Sequence, residues 1–441
     1  MKLSILRING RAGTVQAGSQ SGIPPLIRRN TVYIALVQAL QGSGGQLAIT
    51  LGALMVVRLH GSASLAGIGG SILGAGRFAA AYPTGKFTDA YGRRPGMVIS
   101  LLVSLVGGIL LGASIALSSF LVFLVGMAIL GLGVGAGRQL RVAAVDMYPP
   151  ARRAEGLGYV LTGSIVGALV APMVVGGGEL LARLTGADAI GMSWYLLQVV
   201  LAPAMIFALL VRPDPKSIAA NLKHYWPSYQ LSAKTGDATS AAGLSTFLRH
   251  RPKQVAFVCY ATAQGTMSLM MVMTPLVMSE SGHSVPSISL TVAFHVLGMF
   301  GFSIPLGRLV DRVGRKPLLG VGLAVEAAGA ILVPTTASYL VITLGLFLVG
   351  IGWSAVNVSS TVLLADTTSP EERGRAIGAS DTFAGVFSIV MPLMGGFVVD
   401  MSGLMAIGIL GGALALAPFP ALVRLQERSP GQYGETDSSA G

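Results

Sequence analysis

The stretch "GKFTDAYGRRP", Gly85 to Pro95, returns later in the chain as "GRLVDRVGRKP", Gly307 to Pro317, with Gly, Asp, Gly, Arg and Pro matching at one constant shift. A second set keeps nearly the same shift: Asp146, Pro150, Arg153, Gly158 and Pro172 match Asp366, Pro370, Arg373, Gly378 and Pro392. The chain therefore holds two related halves, an arrangement found where a site is built between repeats.

Composition says what each half is. The 441 residues are 52% hydrophobic and 11% charged, a balance outside that of soluble domains. Apolar runs of about twenty residues, the length that crosses a ~30 Å hydrocarbon core, lie at 31–57, 64–84, 97–117, 120–145, 157–182 and 190–211, then at 254–278, 286–306, 318–336, 339–364, 374–399 and 403–422. Broken by glycine rather than alternating with polar residues, they must be helices, because lipid offers no partner to unpaired backbone groups. A β-barrel is excluded. The expected fold is an all-α integral membrane protein of twelve transmembrane helices in two six-helix bundles, 31–211 and 254–422. A polar linker, 212–253, joins them, and tails 1–30 and 423–441 flank them.

Lysine and arginine set the orientation. With both termini inside, most of the 30 basic residues fall on the cytoplasmic side, among them Arg93, Arg94, Arg152, Arg153, Arg315, Lys316, Arg373 and Arg375, as the positive-inside rule requires. The net charge of +12 is then a topology signal. Its spread over short loops speaks against nucleic-acid binding. Residues 1–30 are basic without a long apolar core, so they read as a cytoplasmic tail rather than a cleaved signal. The single cysteine, Cys259, leaves no internal disulfide and no CxxC site.

The repeated loop carries a family resemblance. GxxxDxxGRR after the second helix and GxxxDRxGRK after the eighth resemble the cytoplasmic loop motif of the major facilitator superfamily, and the resemblance spans essentially the whole chain. It implies a secondary transporter working by alternating access as a monomer. Gly85, Asp89, Gly92, Arg93 and Arg94 in one half, and Gly307, Asp311, Arg312, Gly314, Arg315 and Lys316 in the other, form the expected conformational latch, with each Asp beside an Arg at a helix end. Ala90 stands where the family usually has a basic residue, which predicts a weaker first latch. No GxxxxGK[ST] loop, catalytic triad, paired carboxylates or zinc-type Cys/His spacing occurs, so neither ATP-driven transport nor an enzyme is expected.

Cargo must be read from polar and soft groups inside the helices. These are Arg77, Arg138, Arg141, His295, Glu326, Asp381, the glutamines at 38, 41, 46 and 264, and the methionines of "QGTMSLMMVMTPLVM", Gln264 to Met278. Residues four apart on a helix lie about 40° apart and roughly 6 Å along the axis, so Met267 and Met271 share a face to which Met278 returns. Met270 lies beside that face, and Met273 points elsewhere, as packing. Methionine is itself a flexible core filler, so this helix alone decides nothing. The eighth helix adds His295 and Met299, again four apart at mid-membrane. Thioether and imidazole together favour copper over hard oxygen-seeking cations, and zinc favours Cys, Asp or Glu more. Cys259, two turns toward the cytoplasm, is either a copper acceptor or a small buried apolar residue.

In order, MxxxM at Met267 and Met271 and HxxxM at His295 and Met299 resemble the metal motifs of the CcoA-like copper importers of bacterial inner membranes. That resemblance implies a copper ion as substrate, delivery to a cytoplasmic copper acceptor, and support of cbb3-type cytochrome c oxidase assembly, with no prosthetic group. The same subfamily contains riboflavin transporters that lack these motifs. A further alternative, drug/proton antiport, comes from "GYVLTGSIVGALVAPMVVGG", Gly158 to Gly177, which partly matches GxxxGPxxGG with Ala171 and Val175 in place of glycines; small residues and a kinking proline serve close helix packing equally well. Asp381 and Glu326 are the candidates for proton coupling, although Asp381 could instead pair with an arginine such as Arg138.

Overall fold

The computed structural model describes residues 22–137, 139–149, 152–227, 250–368 and 373–426. Six helical rods form each half. In the first they are α1 Pro25–His60, α2 Ile68–Tyr91, α3 Arg93–Ala116, α4 Phe120–Ala136 prolonged by α5 Gln139–Asp146, α6 Arg153–Thr185 and α7 Ala189–Leu210. Two short helices, α8 Pro215–Ala220 and α9 Leu222–Tyr225, follow. The second half holds α10 Arg251–Glu280, α11 Val285–Gly301 with α12 Ser303–Val313, α13 Arg315–Leu332, α14 Tyr339–Asp366, α15 Arg373–Ser402, and α16 Met405–Leu416 with α17 Phe419–Val423.

Among the described residues, ten helical spans are long and apolar enough to cross a membrane, and the bent pair α11–α12 makes an eleventh. The chain is thus a multi-pass membrane protein. Helix α2 has the length, but glycines together with Arg77, Lys86 and Asp89 dilute its apolar character.

Several expected boundaries need correction. Helix α1 starts at Pro25, with proline at the first turn, where a missing N–H costs nothing, so six residues assigned to the tail are helix. The eighth segment is not one straight rod: α11 and α12 meet at 42° around Phe302, because Pro305 has no N–H for the carbonyl of Gly301. The twelfth breaks between Leu416 and Phe419, at Pro418.

The linker is not simply a solvated connection, since its first part is bound to the first half. Asp214 caps α8 through the N–H of Lys216 at 2.8 Å and also accepts the N–H groups of Arg93 at 3.0 Å and Arg94 at 2.8 Å. It therefore satisfies two of the free donors that open α3. Lys216 reaches back to the carbonyls of Asp89 and Ala90. Trp226 is buried, donates to Met147 O at 3.0 Å, and lies under the Arg152 guanidinium, 5.0 Å from its ring centroid. The second half has a related device: Lys316 Nζ donates to Val423 O at 2.9 Å and Leu425 O at 2.7 Å, so the chain leaving the last rod is fastened to the repeated loop.

The halves meet through α6 against α11 and α2 against α15. Their tightest contacts lie on the side away from the chain ends. A β-carbon on Gly67 would stand 1.7 Å from Pro392 O, and one on Gly396 would stand 2.2 Å from Ser64 O. Ser71 Oγ donates to Ile389 O at 2.6 Å. Toward the chain ends, Arg141 and Asp381 are exposed. The structure is closed on the far side and open toward the side of the termini.

Candidate functional site

Helix α10 is buried along most of its length, as the central rod of its half. Its methionines separate by direction. Met267 and Met271 lie on the wall of a central cavity of about 210 Å³, together with Met299 and Phe300 from α11. The opposite wall comes from the first half: Gln38, Gln41 and Gln46 on α1, Arg77 on α2 and Arg141 on α5. The other methionines turn away. A β-carbon on Gly411 would lie 3.2 Å from the Met270 sulfur, and one on Gly395 would lie 3.4 Å from the Met273 sulfur, so both pack against neighbouring helices. Met278 and Cys259 are fully buried off the cavity wall. The three weaker ligand candidates, Cys259, Met270 and Met278, are therefore not brought to the cavity.

His295 stands behind the wall. It is fully buried and donates from Nδ1 to Leu346 O at 2.7 Å. Gly350 makes its room, since a β-carbon there would lie 2.5 Å from His295 O and 3.1 Å from Nδ1. The backbone carbonyl fixes the tautomer with the proton on Nδ1, leaving the Nε2 lone pair available, which is the usual way a ligating imidazole is oriented. Nε2 has no hydrogen-bond partner among the described residues.

The polar wall is partly committed. Gln41 Nε2 donates to Ser100 Oγ and Ser104 Oγ, both at 3.3 Å, and to Gly133 O at 3.2 Å. Gln38 donates to Ser164 at 3.2 Å. A neighbouring chamber of about 140 Å³ shares Ile49, Arg77, Met267 and Met271 with the cavity and adds Gln264, Ser268 and Asp381. Gln264 Oε1 accepts the Trp353 indole N–H at 2.8 Å, and Trp353 meets Phe300 edge-on at 6.2 Å. Sequence reading noticed Gln264 but gave no sign of Phe300 or Trp353, which lie in ordinary apolar runs. Glu326 is away from all this, buried with both carboxyl oxygens unpartnered among the described residues and set against Gly352 of α14. Arg138 lies outside the described residues, so its pairing with Asp381 does too.

The arginines of the repeated loops are held by ion pairs, and not only to the acids expected from the motif. Arg93 donates to Asp89 and Asp146, each at 2.7 Å, while Arg315 donates to Asp366 at 2.9 Å. Asp311 is exposed and makes no ion pair among the described residues. In the first half Thr88, Asp89 and Asp146 receive Arg93, and Asp214 holds the loop backbone.

Two repeated six-rod halves, closed on one side around a central cavity, define a secondary membrane transporter. The chain belongs to the Major Facilitator Superfamily, whose family model matches residues 34–254 and 255–439. It is 27% identical over 403 residues to YdeG of Bacillus subtilis, an uncharacterised MFS-type transporter, covering 90% of this chain and 92% of that one. It is 28% identical over 360 residues to the riboflavin transporter RfnT of Brucella anthropi, covering 80% and 85%. Among solved structures, the nucleoside transporter NupG superposes with a TM-score of 0.66 at 17% identity, covering 91% of this chain and 100% of that one.

Proposed function

We propose that the chain imports copper across a bacterial inner membrane, with both termini cytoplasmic. The observation that carries the reading is the convergence of three thioethers, Met267, Met271 and Met299, on one cavity wall, with His295 a helical turn from Met299 and its Nε2 uncommitted. Soft neutral ligands hold Cu(I) without a buried anion, so the ion can be released again. Copper enters from the periplasm, is held at this wall, and leaves toward the cytoplasm as the halves rock, for a cytoplasmic acceptor and cbb3-type oxidase assembly. Asp381, on the shared chamber beside Arg77, offsets the positive charge there and is better placed than Glu326 to couple transport to protons.

The test is copper accumulation in cells carrying Met267→Leu, Met271→Leu, Met299→Leu or His295→Leu, with membrane abundance measured alongside. Leucine keeps the volume and removes the donor. Uptake that survives all four changes in abundant protein removes the copper reading.

A second reading, riboflavin import, is favoured by the relationship to RfnT and by the glutamine wall facing Phe300, which suits a flat heterocycle rich in hydrogen-bonding edges. Rescue of a riboflavin auxotroph that depends on Gln38 and Gln46 but not on the methionines would favour it over copper. Drug/proton antiport gains no comparable support.

A further inference from the structure

Outside the cavity, a groove of about 610 Å³ runs between α1 and α6 at the end of the first half nearest the termini. Its volume lies within the range of ligand-sized sites, roughly 300–1,000 Å³. Its back is a backbone contact: a β-carbon on Gly163 would stand 2.4 Å from Ala35 O. At this level the helices touch and the surface in front of them stays hollow. Val32, Tyr159 and Val166 line it with 49%, 47% and 49% of their surface exposed. Tyr148 is its polar floor, bonded to Thr31 Oγ1 at 3.0 Å and 5.6 Å from the Trp226 ring.

The lining is graded along the helix. Arg28 lies at the end nearest the chain start, and below it the α1 residues become apolar down to Ala39. Eleven residues of helix rise about 16 Å, half of a ~30 Å hydrocarbon core. The groove is therefore one leaflet deep, with a guanidinium at headgroup level. The Arg28 side chain has no hydrogen bond or ion pair among the described residues, whereas its backbone N–H is bonded to Pro24 O. Arg29 beside it is already committed to Arg212 O at 2.7 Å.

We propose that this groove is a binding site for one anionic phospholipid of the leaflet on the side of the termini, its phosphate on Arg28 and an acyl chain laid between α1 and α6. Charge complementarity selects the occupant: the apolar channel would accept any acyl chain, but the unpaired guanidinium at its mouth favours an anionic headgroup.

Native mass spectrometry of the full chain in detergent, titrated with phosphatidylglycerol or with phosphatidylethanolamine of the same acyl chains, tests this. The wild type should retain phosphatidylglycerol preferentially, and Arg28→Gln should lower its affinity about fivefold, the contribution of one basic residue at an anionic lipid surface. Val166→Trp, or Ala35→Leu if the first does not fold, should displace the first bound lipid while the melting temperature of the protein holds. Three results would overturn the proposal. They are equal retention of the two lipids by wild type, a preference that survives both the Arg28 and the groove-filling changes, and a preference that emerges only when residues 2–21 are deleted, which would make that segment the occupant.

Discussion

Arg93 donates from Nε to Asp146 Oδ2 at 2.7 Å, tying the loop after α2 to the end of α5, and its repeat Arg315 makes the same bond to Asp366. The Arg93 side chain is 12% exposed and Asp146 21%, whereas Asp89, the other acid on Arg93, is 68% exposed. A hydrogen bond to a charged group contributes about 1.5–3 kcal/mol when shielded, and an exposed ion pair about 0–1 kcal/mol. Asp146→Asn and Asp366→Asn should thus each lower thermal stability in detergent clearly, while Asp89→Asn leaves it nearly unchanged. Equal losses at 89 and 146 would show that the motif aspartate, rather than the end of α5, is the principal partner.

Asp214 offers a second test, because one carboxylate serves two helix starts. Asp214→Asn keeps its shape but weakens the acceptor for Arg93 and Arg94. A lost helix cap costs about 0.5–2 kcal/mol, so α3 and α8 should both loosen. Limited proteolysis of the linker is the direct readout, with cleavage near 215–226 faster in the variant than in the parent. Trp226→Ala should do the same more strongly, since removing a buried tryptophan costs roughly 3–5 kcal/mol. Unchanged cleavage in both variants would mean that the linker is held by something else.

Much of this architecture was legible in the sequence. The repeat "GKFTDAYGRRP" and "GRLVDRVGRKP" with twelve apolar runs led to two six-helix halves, and helical spacing selected Met267 and Met271 from five methionines. What periodicity does not carry is direction around contacts with other helices. His295 shares a helix with Met299, yet the space left by Gly350 draws its ring toward α14 and off the cavity wall. Asp214 and Trp226 sit in a polar stretch that reads as linker, because their partners are loop N–H groups and a carbonyl far away in sequence. Helix α2, counted among the apolar runs at 64–84, is less apolar than the other spans for a physical reason: its glycines are spent on backbone contact, as at Gly76 against Ala128 O.

The orientation of His295 can be tested without touching a ligand. Gly350→Ala adds one methyl group where the nearest atoms are His295 O and Nδ1, so the ring must shift or lose its bond to Leu346. On the copper reading, second-layer changes of this kind cost about 10–100-fold in metal affinity. Copper uptake should fall by that order in Gly350→Ala while the protein remains inserted, and Gly298→Ala, where a β-carbon would stand 2.8 Å from Phe347 O against 2.5 Å from His295 O at Gly350, serves as the packing control. If the two variants lose the same activity, the effect is packing and His295 has no special role.

Gly67 should control which side of the transporter is open. Its missing side chain allows the start of α2 to close on Pro392: a β-carbon there would stand only 1.7 Å from Pro392 O, an overlap no real side chain tolerates. Gly67→Val should therefore penalise the far-side-closed state more than a state in which the halves part at this point. A ligand or mutation moves a two-state equilibrium only by its difference between the states, and about 5.5 kcal/mol carries a population from 1:99 to 99:1. With Cys259 replaced by Ala and a reporter at Ile49→Cys on the cavity wall, a membrane-impermeant thiol reagent added from the far side should label Gly67→Val quickly and the parent slowly. Uptake should be lost in the same variant, since a transporter held in one state completes no cycle. Slow labelling from the far side in Gly67→Val would mean that the closure resides at Ser64 and Gly396 rather than at Gly67.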